Sequence, residues 1–148
     1  MIHVFLCHLR CANERIYFRH VHRYFDRLSS KSCMERNNIF IQTSPDLFQD
    51  SPATMFPIVN PLTAADIQVR RERQTFTKLE KSDAVLFTVR TFMKPLVEIE
   101  NGEVEGLAAM IRAWQSTELG PYKGSTVWGD VTLKWCDERM AADASSKK

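Results

Sequence analysis

Residues 70–92 read Arg70-Arg71-Glu72-Arg73-Gln74-Thr75-Phe76-Thr77-Lys78-Leu79-Glu80-Lys81-Ser82-Asp83-Ala84-Val85-Leu86-Phe87-Thr88-Val89-Arg90-Thr91-Phe92. Four consecutive charges, Arg70 to Arg73, sit in a stretch that otherwise alternates as a β-hairpin does. A charge run is ordinarily a solvated loop or helix face. Here it leads straight into strand pattern and is answered by Arg90 on the return. The spacing predicts strands near 67–79 and 84–93 around the polar turn Glu80-Lys81-Ser82-Asp83, with Pro95 stopping the second strand.

A turn at 80–83 makes Leu79 face Ala84 and sets Arg73 directly opposite Arg90. Arg71, Thr75, Thr77 and Thr88 share that face, while Phe76, Val85, Phe87, Val89 and Met93 form the other, the expected core surface. Like charges directly opposite are destabilising unless solvent, carboxylates or a bound anion compensates them. The planar guanidinium fork suits carboxylates and phosphates. Two readings stay open: an anion site on the hairpin, or a structural salt-bridge network using Glu72, Asp83 or a helix carboxylate. Both depend on register, since a slip of one residue exchanges the faces.

Outward from the hairpin, residues 13–28 read as a helix with Asn13 as N-cap and one apolar stripe, Tyr17, Val21, Tyr24, Phe25 and Leu28. Residues 38–43 are a strand candidate. Pro45, Pro52, Pro57 and Pro61 make 44–63 an extended connection. A second helix is expected over 104–115, with Leu107, Met110, Ile111 and Trp114 on one side, broken by Gly120-Pro121. A weak strand or loop is expected around Val127-Trp128 and 131–135, and a disordered tail over 141–148. This order of elements predicts an α+β fold, an antiparallel sheet with a central hairpin flanked by helices.

The 148 residues suffice for one domain with a real core. A net charge of +2, from 20 basic and 18 acidic residues, offers no footprint for nucleic acid. No apolar run is long enough for a membrane span or a signal-peptide core. Cys7, Cys11, Cys33 and Cys136 lack the spacing of a disulfide framework, so an intracellular, cytoplasmic protein with reduced thiols is expected. His3, Cys7, His8 and Cys11 crowd the N-terminus without a second pair at zinc-finger spacing, and His20 and His22 flank Val21 without Cys-x-x-Cys-His. No nucleophile elbow, phosphate loop or dinucleotide fingerprint occurs. Glu103 and Glu105 suit a helix N-terminus, and Trp114, Trp128 and Trp135 suit a core or its rim.

The run Arg70-Arg71-Glu72-Arg73-Gln74-Thr75, then Leu79, then Ala84 to Phe92 with its Arg90-Thr91-aromatic ending, resembles the haem-dependent oxidative N-demethylase alpha-subunit-like family. Arg23-Tyr24-Phe25-Asp26-Arg27-Leu28, Arg36-Asn37-Asn38 and Tyr122-Lys123-Gly124 support the match, which extends over about residues 14–135. The resemblance implies a PAS-like haem domain that acts as a monooxygenase on a small secondary amine, releases formaldehyde and takes electrons from a reductase. Haem carries two propionates, and Arg71, Arg73 and Arg90 are our own candidates for their partners or for another anion, not residues the family assigns; Arg70, Glu72, Gln74 and Thr75 belong to the motif's polar network.

Two departures are local: Leu79-Glu80 stands where the family has Leu-Pro, and Asp83 where it has a turn glycine. A third concerns the iron ligand. Family members are longer and carry a His-x-Pro-Val-Pro segment before the first helix, whereas this chain reads Cys7-His8-Leu9-Arg10-Cys11, leaving His8 as candidate ligand. The expectation is therefore residues 14–136 as the C-terminal part of such a domain, with 1–13 an irregular start. Whether that part is an enzyme, a non-catalytic PAS-like ligand-binding or interaction module, or an inactive fragment is open.

Overall fold

β-Branched and aromatic residues in alternation build the hairpin in the computed structural model, which describes residues 23, 25–48 and 61–146. Strands β1 (Cys33–Gln42), β2 (Gln68–Lys78) and β3 (Val85–Pro95) form one antiparallel sheet in the order β1-β2-β3. The hairpin register is the expected one. Leu79 N–H donates to Ala84 O at 2.8 Å beside the turn, and Leu96 N–H donates to Ile67 O at 2.8 Å beyond the far end. Both bonds belong to a single uninterrupted register, so Arg73 faces Arg90. The Thr75 and Thr88 hydroxyls meet across the strands between them.

β1 starts five residues before the expected 38–43. Its first residues, Cys33-Met34-Glu35-Arg36, are exposed apart from the half-buried Met34 and carry no strand signature of their own. Cross-strand partners hold it: Arg36 Nε donates to Gln74 Oε1 at 2.6 Å and Asn38 Nδ2 to Glu72 Oε2 at 3.5 Å.

Three helices follow: α1 (Asn101–Gln115), the single turn α2 (Leu119–Tyr122) and α3 (Ser125–Ser146). In α1, Val104, Leu107, Ala108 and Ile111 recur at i, i+3, i+4 and i+7 and are all buried. Gly124, at φ 77°, closes α2: its N–H bonds Pro121 O at 3.0 Å, and only glycine takes that left-handed geometry without cost. Gly120 is required for space instead, because a Cβ there would lie 2.9 Å from both Trp114 O and Ser125 Oγ.

α3 corrects the expected weak strand. Val127, Trp128 and Val131 have strand character locally, but Ser125, Trp128, Gly129, Thr132 and Cys136 fall on one helical face and are buried, and α3 packs on α1. The helix continues to Ser146, through most of the segment read as a tail. The helix expected from residue 13 falls largely outside the described residues, as do Pro52 and Pro57; residues 25–27 are helical.

The chain divides into two compact units. One comprises residues 1–38 and 72–90, the other 39–71 and 91–148. In the second, Ile41, Ile67, Val69, Leu96, Ile99, Val104, Ile111 and Trp128 form a continuous core, each at most 1% exposed. Burying one such side chain stabilises by about 1.5–3 kcal/mol. In the first, Phe76 stacks on Phe87 at 4.5 Å between centroids, and Phe25 tilts onto Phe76 at 5.6 Å. The expected core face of the hairpin is thus used at Phe76 and Phe87. Val69, the deepest β2 position, and Ile67 just before the strand share instead the parity of Arg71 and Arg73.

Candidate functional site

Alternation along β2 divides the arginine motif between two faces. Arg71, Arg73 and Thr75 take one, with Thr88 and Arg90 of β3; Arg70, Glu72 and Gln74 take the other.

On the first face, Arg73 Nη2 lies 2.6 Å from Glu35 Oε2, and this carboxylate raises the guanidinium above its ordinary pKa. The pair sits at the surface, with 55% of the Arg73 side chain exposed. Arg90, directly opposite, is also exposed. Arg71 Nη1 donates to Glu103 Oε1 at 2.8 Å in the first turn of α1, and that hydrogen bond lowers the Glu103 pKa. Thr77 Oγ1 lies 3.4 Å from the exposed thiol of Cys33.

On the other face, Gln74 is 5% exposed and central to a chain of polar contacts. Arg36 Nε donates to Gln74 Oε1, Gln74 Nε2 donates to Glu72 Oε2 at 2.9 Å, and Asn38 Nδ2 reaches the same carboxylate oxygen. Arg36 also lies over the Phe76 ring at 5.8 Å. A buried amide between a guanidinium and a carboxylate fixes both strands in register, because each of its polar atoms has one partner position. Arg70 Nη1 donates to Leu47 O at 2.7 Å and Nη2 to Thr91 Oγ1 at 3.3 Å.

Sequence reasoning named Arg70, Glu72, Gln74 and Thr75 as one network; Glu72 and Gln74 do bond, with Arg36 and Asn38 as the partners it missed, while Arg70 bonds Leu47 O and Thr91 and Thr75 meets Thr88 on the opposite face. The helix carboxylate it expected is Glu103, which holds Arg71, but it missed Glu35, which holds Arg73. Of the candidate carboxylates it did name, Glu72 serves the amide network and Asp83 pairs with Lys78 at 3.0 Å. Lys123 was quoted only as part of a motif. It is 6% exposed, its Nζ donates to Ile39 O at 2.7 Å and lies 3.6 Å from the Phe40 ring centroid.

Among the described residues, no group of three or more His, Cys, Asp or Glu is placed to hold a metal ion. His8 lies outside the described residues, as do His3, His20 and His22. A groove of about 320 Å³ between the start of α1 and the end of α3 is lined by Asn101, Glu105, Arg139 and Asp143 among others. Three of its polar groups bond one another: Asn101 Nδ2 donates to Asp143 Oδ1 at 3.0 Å and Arg139 Nε to Asn101 Oδ1 at 2.7 Å. No helix among the described residues is long and apolar enough to cross a membrane.

Comparison with known proteins agrees with the motif. No curated protein matches the chain. The family described as haem-dependent oxidative N-demethylase, alpha subunit-like, matches residues 14–133, which include the hairpin, the Arg36–Asn38 segment and the Lys123 turn. The chain belongs to the haem-dependent oxidative N-demethylase alpha-subunit-like family.

Proposed function

We propose that the chain contributes to a haem domain that oxidatively removes a methyl group from a small secondary amine, releasing formaldehyde, and that its hairpin arginines bind the haem propionates. One observation carries the arginine assignment: Arg73 and Arg90 lie opposite each other on a threonine-lined face, and both side chains are accessible. Two guanidiniums set against each other favour an anion between them.

The described residues suit the propionate edge of a haem. His8, which lies outside the described residues, would hold the haem iron on the strength of the family resemblance. Bound haem would supply the oxidant, with electrons from an external reductase. The chain's own part is to neutralise the propionates and fix their orientation.

Titration with haemin, followed in the ferric, ferrous and carbon-monoxide spectra, tests the proposal. A stoichiometric Soret shift is expected, lost in His8→Ala and weakened in Arg73→Ala and Arg90→Ala. Unchanged haem affinity in both arginine variants would remove the propionate role. The ion pairs of Arg71 with Glu103 and Arg73 with Glu35 favour a second reading, in which the hairpin is structural and the chain is a non-catalytic ligand-binding or interaction module. No Soret shift together with a cooperative thermal melt supports that module. No shift and no cooperative melt identifies a fragment without independent activity.

A further inference from the structure

The outer edge of β3 is unpaired in the sheet formed by the described residues, and its geometry is specific. The bonds from Leu79 to Ala84 and from Leu96 to Ile67 assign the even-numbered residues of β3 to the ladder with β2. The odd-numbered residues Val85, Phe87, Val89, Thr91 and Met93 therefore direct their backbone N–H and C=O groups outward. Pro95 is next in that series and has no N–H, so it ends the usable edge. The midpoint of what remains is Val89. β3 has 11 residues, long for an edge strand, and exposes Leu86 (39%), Val89 (44%) and Phe92 (48%).

We infer that this edge pairs antiparallel with the same edge of a second copy of the chain, about a two-fold axis through Val89. That register uses every outward-facing residue from Val85 to Met93. It sets Val89 against Val89 of the second copy, Val85 against Met93 and Phe87 against Thr91, each exchanging both backbone hydrogen bonds. Between these, Leu86 meets Phe92, so two of the exposed apolar side chains cover each other twice per dimer. Neighbouring registers are poorer: with the axis through Val89, Arg90 faces Thr88; moved to residue 90, Arg90 would face Arg90 and Leu86 would face Lys94, and moved to residue 88, Arg90 would face Leu86 and the Leu86–Phe92 pair would be lost. A single strand pairing is a small interface, so the dimer is weak and concentration-dependent.

Sedimentation equilibrium of the full chain over a concentration series tests this, with far-ultraviolet circular dichroism and a thermal melt verifying the fold of each variant. A monomer–dimer equilibrium is expected. Leu86→Lys should raise its dissociation constant by about tenfold or more, since it breaks two cross-strand pairs per dimer. Leu86→Lys combined with Phe92→Glu should restore dimerisation. Within one chain these positions lie six residues apart on one strand, beyond contact, so rescue reports pairing between chains. A monomer at every concentration overturns the inference and leaves the edge to a different partner. A dimer unaffected by Leu86→Lys, or one that the double variant fails to restore, overturns the register.

Discussion

Glu103 and Lys123 represent two ways in which one charged side chain is held. Glu103 accepts a hydrogen bond from Arg71, and its pKa falls below the ordinary 4.5. A carboxyl with a depressed folded-state pKa contributes stability above its unfolded pKa, and that contribution disappears as pH falls through the folded value. Glu103→Gln should therefore cost stability at pH 7, by at most about 1 kcal/mol for a pair this exposed. The difference between the two proteins should close on acidification below the glutamate range, which urea melts at neutral and acidic pH would measure. A difference that stays constant with pH would assign the effect to packing. Lys123 is buried, and its ammonium rests on Ile39 O, the Phe40 ring and, at 5.0 Å, the Trp114 ring. Lys123→Met keeps the stem and removes the donor, leaving Ile39 O without that bond. A loss of about 1–3 kcal/mol is expected in a denaturant melt; an unchanged midpoint would show that the ammonium contributes nothing net.

At the level of elements, the hairpin and the helix after it differ in how much their own residues disclose. The hairpin was legible because its signal is local: period-two alternation, a four-residue polar turn and a closing proline. Even the family's turn glycine is accounted for, since Asp83 occupies the left-handed region at φ 57°. Asp83→Gly should leave stability nearly unchanged, exchanging relief of backbone strain for loss of the exposed Lys78 pair. Asp83→Val should be about 1–2 kcal/mol less stable than Asp83→Gly, because a β-branched residue is poorly accommodated there. Equal midpoints for the two variants would show that the turn has another geometry in solution. α3 was not legible, because its valines and tryptophans favour strands in isolation. What makes it a helix is α1, which covers Trp128 and Thr132 and is tied to α3 by Arg112 and Asp137 at 2.5 Å. The first half of β1 was obscure for the same reason: Glu35, Arg36 and Asn38 acquire strand geometry from partners on β2 that lie far away in sequence. The arginine faces were thus readable, and so was the class of one partner, a helix carboxylate, but nothing in residues 70–92 singles out Glu103 or points to Glu35.

Across the whole molecule, burial is distributed unevenly between the two units, and this has consequences for local stability. The continuous apolar core, from Ile41 through Trp128 to Cys136, belongs entirely to the unit of residues 39–71 and 91–148. In the other unit the buried ones among the described residues are Leu28 and Gln74, and cohesion rests on the Phe25, Phe76 and Phe87 rings and the Arg36–Gln74–Glu72 network. Local opening is easiest where few apolar side chains are buried. Native-state hydrogen exchange should accordingly find the slowest amides in α1 and in the buried turns of α3, at protection near that of global unfolding. The amides of 75, 77, 86 and 88, which bond across the hairpin, should exchange through a smaller opening that leaves α1 closed. Gln74→Ala deletes the buried centre of the polar network and its bonds to Arg36 and Glu72, so it should lower protection in the hairpin by about 1 kcal/mol. Protection in α1 should then change little. Equal losses in hairpin and α1 would mean that the two units open as one, with the network contributing to a single global transition.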